Sequence, residues 1–229
     1  MTAVRPPEYL PRLPYAALLL VADRVVLGDT FRFSRQGYQN RARIRTSQGG
    51  QWLSIPRAHA GRPLALRDVV VVDDGWRRRH ARGVEAAYRM APFYEHLAPS
   101  LAELWAGPAS SLADLSARSV RWAAGHLGAA CEIVEASALD GAPASLDDVW
   151  AVAGRGPLVT LPESAGRDAR LDADVRALSY DEAARRQAFP GFEAGLSVLD
   201  LLMNYGPAAA DRLRAEVTVG PPTGPAPPA

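Results

Sequence analysis

Lysine is absent from this chain of 229 residues, so all 26 of its basic side chains are arginines. Without lysine, the protein cannot form a Schiff base through a side-chain amine, and it has no phosphate-loop lysine. Its single cysteine, Cys131, excludes an intrachain disulfide and any metal site built from several cysteines. The short motifs of dinucleotide-binding proteins, P-loop proteins, zinc proteases and α/β-hydrolases are missing as well. No general motif assigns a reaction class, and we predict that the protein uses no metal or cofactor.

The chain also lacks an excess of charge and a long apolar run. Its 26 basic and 25 acidic residues leave a net charge of +1, which does not favour nucleic acid or an anionic membrane. The segment most similar to a targeting signal, residues 13–22, is too short to span a bilayer, which takes roughly 20 residues. Asp23 and Arg24 follow it at once, without a cleavage motif. We therefore predict a cytoplasmic protein that neither inserts into membranes nor binds nucleic acid.

Apolar periodicity and the positions of Gly and Pro predict the secondary structure. Helices are expected at residues 15–22, from 76 to a break at Pro92, and at 93–105, 111–127 and 145–152. Strands are expected at residues 24–27, 38–45, 52–55, 69–72, 131–134 and 158–161, and a surface loop over 154–170. These elements predict an α/β fold (mixed α+β): a mixed sheet with an N-terminal hairpin, followed by packed helices, in a single domain over residues 1–217. The Pro-rich residues 218–229 are predicted to be disordered.

The segment after residue 73 contains the first candidate for chemistry. Trp76, His80, Val84 and Tyr88 follow one another at intervals of four residues and so share a helix face, with Asp73 or Asp74 as the expected N-cap. The imidazole of His80 therefore points inward, where burial favours its neutral form. Such a side chain suits a general base, and a core histidine bonded to the backbone is the alternative. The run Arg77–Arg78–Arg79 is either a solvated face or a binding surface for a carboxylate or phosphate.

Two further segments contain polar residues at positions of interest. In the strand at 38–45, Asn40 shares a face with Tyr38 and Ile44, where its amide either bridges neighbouring loops or orients a substrate carbonyl. In the segment 195–207, Ser197 and Asp200 have the spacing of a helix N-cap and an acidic residue at the third helical position. We interpret these two residues as caps and not as a catalytic pair.

Five blocks of the sequence, in order, resemble the WbqC-like proteins. They are YLPRLPY at 9–15, ADRVVLGDTFRFSRQGYQNRARI at 22–44, QWLSIP at 51–56, RHARGVEAAYRMAPFYE at 79–95 and LSVLDLLMNYGP at 196–207. The resemblance implies an acyl- or aminoacyl-transferase that forms an amide, as in pathways for surface polysaccharides or natural products. It implies His80, Asp23, Asp29 and Asn40 as catalytic residues. It also implies Arg41 and Tyr88 as binding residues, and we predict that Arg41, Tyr9, Tyr88 and Tyr38 bind substrate.

In the resulting hypothesis, His80 deprotonates an attacking amine, while Asn40 or Arg41 holds the acyl carbonyl. Asp23 or Asp29 orients His80 or the amine. The matching blocks contain no thiol, so we expect direct attack on an activated acyl donor. The partners are a small-molecule amine and that donor, which an acyl or peptidyl carrier protein could present. Two alternatives remain: a hydrolase or cyclase that uses His80 to activate water, and a non-catalytic binding or scaffold protein in which His80 is packed.

Overall fold

A six-stranded sheet lies at the centre of the molecule. The computed structural model describes residues 1–59, 62–108 and 111–222. The sheet contains β1 (Thr2–Arg5), β2 (Arg24–Leu27), β5 (Glu132–Glu135), β6 (Leu158–Thr160), β7 (Val175–Tyr180) and β8 (Val217–Gly220). A separate antiparallel hairpin is formed by β3 (Arg41–Thr46) and β4 (Gly49–Ser54).

The strand order is β5-β2-β1-β6-β7-β8, and all neighbours are parallel except β7 and β8. From β1 the chain moves outward through β2 to β5, then returns to the other side of β1 to form β6 and β7. The direction of winding thus reverses between β1 and β6. At such a switch point the loops leaving the carboxyl ends of the two strands diverge, and the crevice between them is the usual ligand site of an open α/β sheet.

Helices cover both faces of this sheet. They are α1 (Leu13–Val21), α2 (Trp76–Tyr88), α3 (Tyr94–Ala106), α4 (Leu112–Leu127), α5 (Leu146–Ala153), α6 (Pro162–Asp168), α7 (Val198–Tyr205) and α8 (Ala209–Ala215). Ser111, Ser145 and Ser197 cap α4, α5 and α7 by accepting a hydrogen bond from a backbone N–H in the first turn. Within the residues described, no helix combines the length and the apolar character needed to cross a membrane.

Alternate residues of the central strands enter two hydrophobic clusters. Ala3 and Val25 belong to the larger one, with α1, α4 and α7. Val4 and Val26 belong to the smaller one, with Val149 of α5 and its neighbours. Because parallel strands buried on both faces need apolar side chains at successive positions, β2 is a nearly continuous apolar run. This arrangement confirms the predicted single-domain α/β fold.

Several predicted elements differ from the observed ones. Residues 69–72 are not a strand, because they follow a 3₁₀ turn at Leu66–Asp68 and make only an isolated bridge from Val71 to Arg57. The predicted loop at 154–170 contains helix α6. Neither Asp73 nor Asp74 caps α2; its N-cap is Gly75, whose φ is 82° and which has no side chain to bond.

Three strands were missed: β1, β7 and β8, which are four to six residues long. Their partners lie far away in sequence, so local periodicity indicates them weakly. The predicted tail, residues 218–229, overlaps β8 at its start, and residues 223–229 of that prediction lie outside the described part of the chain.

Gly206 ends α7 in a conformation that excludes a side chain. Its φ is 50°, and a Cβ placed there would overlap the ring of Phe93. We expect Gly206→Ala to lower the free energy of unfolding by about 2 kcal/mol or more, from the positive φ and the overpacking together. Gly125→Ala in α4 is the control, because nothing lies within 4 Å of its Cβ position. Urea denaturation measures the free energy of unfolding of both variants. Equal stability of the two variants would contradict the predicted strain at Gly206.

Candidate functional site

The crevice at the switch point is open and polar. It encloses about 590 Å³ between the loop after β1, the loop after β2 and the start of α6, and we call it the switch cleft. Its lining residues are Arg5, Pro6, Glu8, Arg12, Ser34, Gln36, Gly37, Tyr38, Gln39, Glu163, Ser164 and Arg167. The sheet topology thus places charged side chains of both signs where an α/β protein usually binds its ligand.

Ion pairs cross the switch cleft. The guanidinium of Arg12 lies 2.7 Å from Glu8 and 2.9 Å from Glu163. Arg5, at the end of β1, lies 3.6 Å from Glu163 and also donates a hydrogen bond to Ser164. These contacts join the loop after β1 to α6, although the two segments are more than 150 residues apart. Acidic and basic groups therefore alternate along the cleft, an arrangement that can bind an amine and an anionic or carbonyl group side by side.

Glu163 is ionised at neutral pH. Burial by itself would raise the pKa of its carboxyl group, but a hydrogen bond from its own backbone N–H and the guanidinium of Arg12 outweigh burial, and the pKa is lowered. The side chain remains 47% exposed, so a ligand can reach its carboxylate. Glu163 is thus a fixed negative charge at the mouth of the cleft.

Tyr38 forms one wall of the switch cleft, and Arg41 supports that wall from behind. The guanidinium of Arg12 stacks on the Tyr38 ring, 4.1 Å from its centroid. Arg41 donates hydrogen bonds to the carbonyl groups of Gln36, at 2.7 Å, and Gly37, at 3.2 Å. Of these two predicted substrate-binding residues, the structure places Tyr38 in the cleft and Arg41 in the scaffold of its loop.

His80 lies in a chain of buried hydrogen bonds. The indole N–H of Trp105 donates to the Tyr9 hydroxyl at 2.8 Å, and that hydroxyl donates to Nδ1 of His80, also at 2.8 Å. Nε2 of His80 lies 3.2 Å from the carbonyl oxygen of Ser54, which can only accept, so the proton of the imidazole is on Nε2. His80 is 3% exposed and is not one of the residues that line the switch cleft.

Burial lowers the pKa of His80 to about 4. The imidazole is therefore neutral and inward-facing, as the helix periodicity predicts. Both of its ring nitrogens are occupied by protein groups, which matches the core-histidine alternative stated above. A role for His80 in proton transfer stays a prediction.

The other predicted catalytic residues lie apart from His80 and from one another. Asp23 is at the amino edge of the sheet, with an 85% exposed side chain that pairs with the amino group of Met1. Asp29 is beyond the carboxyl end of β2, where it accepts a hydrogen bond from the backbone N–H of Ser137 at 2.9 Å. Asn40 donates to the carbonyl of Ile55 at 3.0 Å and so joins the two strands of the hairpin. The structure does not bring these three residues together.

Tyr88 and Asp200 belong to a second buried polar cluster. The Tyr88 hydroxyl accepts from the backbone N–H of Arg45 at 2.9 Å. Asp200 accepts from Gln187 at 3.2 Å and lies 3.9 Å from Arg185, and burial raises its pKa to about 6. Asp200 lies at the third helical position, as predicted, but it does not complete a capping box, because the backbone N–H of Ser197 bonds to the carbonyl of Arg43 instead.

The cleft residues Arg5, Glu8, Glu163 and Arg167 were not predicted from the sequence as site residues. Glu163 lies two residues after the predicted strand at 158–161, and carboxyl ends of strands are where ligand-binding side chains are expected in an α/β sheet. That signal could have singled it out. Arg5 could not be found in this way, because β1 itself was not predicted.

Comparison with known proteins identifies the family of this chain but assigns no activity to it. The model of the WbqC-like protein family matches residues 6–212, which include all the lining residues of the switch cleft except Arg5. Rv1507c of Mycobacterium tuberculosis (strain ATCC 25618 / H37Rv), an uncharacterized protein, is 28% identical over 218 residues, which are 90% of this chain and 94% of that protein. No solved structure matches.

The hydrogen-bond chain through Tyr9 can be tested by removing one oxygen. In Tyr9→Phe, the indole of Trp105 loses its acceptor and His80 loses its donor. We expect the free energy of unfolding to fall by about 2–4 kcal/mol, since each buried unsatisfied group costs roughly 1–3 kcal/mol. Tyr15→Phe is the matched control, because the buried hydroxyl of Tyr15 has no hydrogen-bond partner among the residues described. Equal losses in the two variants would refute the importance of the chain.

The low pKa of His80 predicts a pH dependence of stability. The pKa is about 4 in the folded chain against 6.5 for an ordinary histidine, so between these values the unfolded chain binds more protons. The contribution of His80 is therefore complete above pH 6.5 and is lost as the pH falls toward 4, by up to about 3 kcal/mol. His80→Gln should flatten this dependence, whereas His96→Gln, at an exposed position, should not. Denaturation curves at several pH values decide the point, and parallel profiles for wild type and His80→Gln would contradict it.

Proposed function

The chain belongs to the WbqC-like protein family, and on that premise we propose that it transfers an acyl or aminoacyl group to a small-molecule amine in the switch cleft. The observation that supports this most directly is the alternation of carboxylates and guanidiniums across the cleft. Glu163 and Glu8 supply negative charge for an ammonium group, and Arg5 and Arg12 supply donors for a carbonyl or carboxylate oxygen.

The proposed reaction is amide formation from a thioester. The amine nitrogen attacks the acyl carbon, a C–N bond forms, the C–S bond breaks and the sulfur leaves as a thiolate, which takes up a proton from water. Arg12 stabilises the oxyanion that develops at the carbonyl oxygen. The proton released by the amine passes to the Glu163 carboxylate and on to water, because this side chain is both in the cleft and open to solvent.

We assign His80 a positioning role in this proposal. Its Nδ1 accepts from the Tyr9 hydroxyl, and the backbone N–H of Tyr9 donates to the carbonyl of Tyr38 at 2.9 Å. Tyr38 in turn stacks under Arg12. Loss of the imidazole would therefore disturb the wall of the cleft without removing a group that touches substrate.

The setting of the reaction follows the same proposal. We place the protein in the cytoplasm, in a biosynthetic pathway for a natural product or surface glycan. The acyl donor is a thioester, free or on a carrier protein. In the run Arg77–Arg78–Arg79, Arg77 pairs with Asp73 and Arg79 with Asp74, which leaves the surface there with charges of both signs. The charges in the cleft do not favour hydrolysis or cyclisation of the same thioester over transfer. Product analysis separates these reactions from transfer.

The experiment combines ligand binding with product analysis. Wild type, Glu163→Gln and Arg12→Gln are screened by thermal shift against amino acids, acyl-pantetheine thioesters, loaded carrier protein and nucleotide sugars. A ligand at 100 times its Kd should stabilise the native state by about 2.7 kcal/mol. Mass spectrometry then follows the amide formed from the thioester and amine that shift the wild type.

We expect amide formation to fall by roughly tenfold to a hundredfold in Glu163→Gln and Arg12→Gln, as for the loss of a charge-assisted hydrogen bond. Arg176→Gln is the matched control, since Arg176 pairs with the nearby exposed Asp174 on the surface, away from the switch cleft. Release of free acid at the same rate with and without amine would identify a hydrolase. Absence of any thermal shift, with all variants folded, would overturn transfer in favour of a scaffold.

A further inference from the structure

A second cavity, next to the switch cleft, is lined by four arginines. It encloses about 530 Å³, and we call it the arginine trough. Its lining residues are Arg32, Phe33, Ser34, Arg35, Arg57, Arg62, Pro63, Leu64 and Val69. The lining thus contains four positive charges and no acidic side chain.

These four charges are not compensated by the protein. Within residues 1–59, 62–108 and 111–222, none of the four arginines lies within ion-pair distance of an aspartate or glutamate. By contrast, Arg5 and Arg12 in the switch cleft both contact Glu163. Like charges around one cavity repel each other, and the cavity walls focus their potential, so the trough attracts an anion of more than one charge.

The backbone of the trough is held in place independently of any ligand. The backbone N–H of Phe33 donates to Leu64 at 2.9 Å, and that of Leu66 donates to Phe31 at 2.8 Å. The third wall is fixed by the bridge between Arg57 and Val71. Arg32 and Arg35 on one segment and Arg57 and Arg62 on another therefore line one space on a prearranged backbone, which reduces the entropy cost of binding.

The arginine trough borders the switch cleft. Ser34 lines both cavities. Arg32 of the trough also lines a third cavity, of about 560 Å³, which shares Pro6 and Arg167 with the switch cleft. The trough and the switch cleft are therefore neighbouring cavities, with Ser34 at their shared edge.

We propose that the arginine trough binds the diphosphate group of a nucleoside diphosphate ligand. A guanidinium binds phosphate oxygens through two parallel N–H donors. Several guanidiniums match the two or three negative charges of a diphosphate better than they match the single charge of a carboxylate. The guanidinium of Arg57 lies over the Phe33 ring at 4.9 Å, and this pair adds a surface against which a nucleobase can pack.

Two classes of ligand contain a nucleoside diphosphate group: coenzyme A thioesters and nucleotide sugars. The binding of the diphosphate does not depend on the transfer reaction. The assignment of the bound molecule as acyl donor or as sugar acceptor does rest on the proposed function.

Isothermal titration calorimetry tests the site with inorganic diphosphate, ADP, UDP and coenzyme A on the full chain. We expect inorganic diphosphate to bind, with an affinity that falls as the salt concentration rises. Arg32→Gln and Arg57→Gln should each weaken binding by about tenfold or more, as for the loss of a charge-assisted hydrogen bond. Arg176→Gln, the surface control, should bind diphosphate as the wild type does.

The outcomes separate this proposal from the proposed function. Loss of diphosphate binding in the trough variants alone supports the site even if no amide is ever formed. Tighter binding of coenzyme A than of ADP and UDP identifies a thioester ligand, and tighter binding of UDP than of ADP identifies a nucleotide sugar. Failure of the wild type to bind inorganic diphosphate or any of the nucleotides, or equal affinity in Arg32→Gln, Arg57→Gln and Arg176→Gln, would overturn the proposal.

Discussion

The packing around the switch cleft depends on one hydroxyl group, that of Tyr9. It accepts a hydrogen bond from Trp105 in α3 and donates one to His80 in α2, so it connects two helices to the loop that follows β1. The backbone of the same residue holds Tyr38, whose ring lines the cleft. The position of the ligand-facing wall is therefore set from behind, by buried groups that a ligand does not touch. An aromatic hydroxyl suits this task because it can both donate and accept in an otherwise apolar core.

The two neighbouring cavities differ in whether their arginines are paired with carboxylates. In the switch cleft, Arg5 and Arg12 are paired with carboxylates, so the cleft offers both signs at short distance. In the arginine trough, the guanidiniums face one another without acidic partners among the described residues. The net charge of +1 conceals this separation, because it sums over the whole chain. What each cavity can bind follows from the local pairing: mixed charges for a zwitterion or an amine and a carbonyl, uncompensated guanidiniums for a polyanion.

The parts of the fold that were predictable are those with local signals. Helix α4 has a serine N-cap at Ser111 and a glycine in the left-handed conformation at Gly128, and both of its ends were predicted within one residue. Strand β2 is an apolar run between charged and glycine residues, and its predicted bounds are the observed ones. Strand β1 was missed, although it lies at the centre of the sheet. It is four residues long, and the residues that define it as a strand, Arg24–Leu27 and Leu158, lie elsewhere in the chain.

The sequence by itself determined the α/β class, the inward direction of His80 and its neutral state, because helix periodicity and burial act over a few neighbouring residues. It also indicated the cap at Ser197. Only the tertiary structure decided that the ring of His80 is bonded on both nitrogens and that Asp23 and Asp29 lie apart. It alone brought Glu163 to Arg12, 151 positions away. The physical reason is that such contacts depend on the order of the strands, and the reversal between β1 and β6 is a property of the whole sheet and of no local segment.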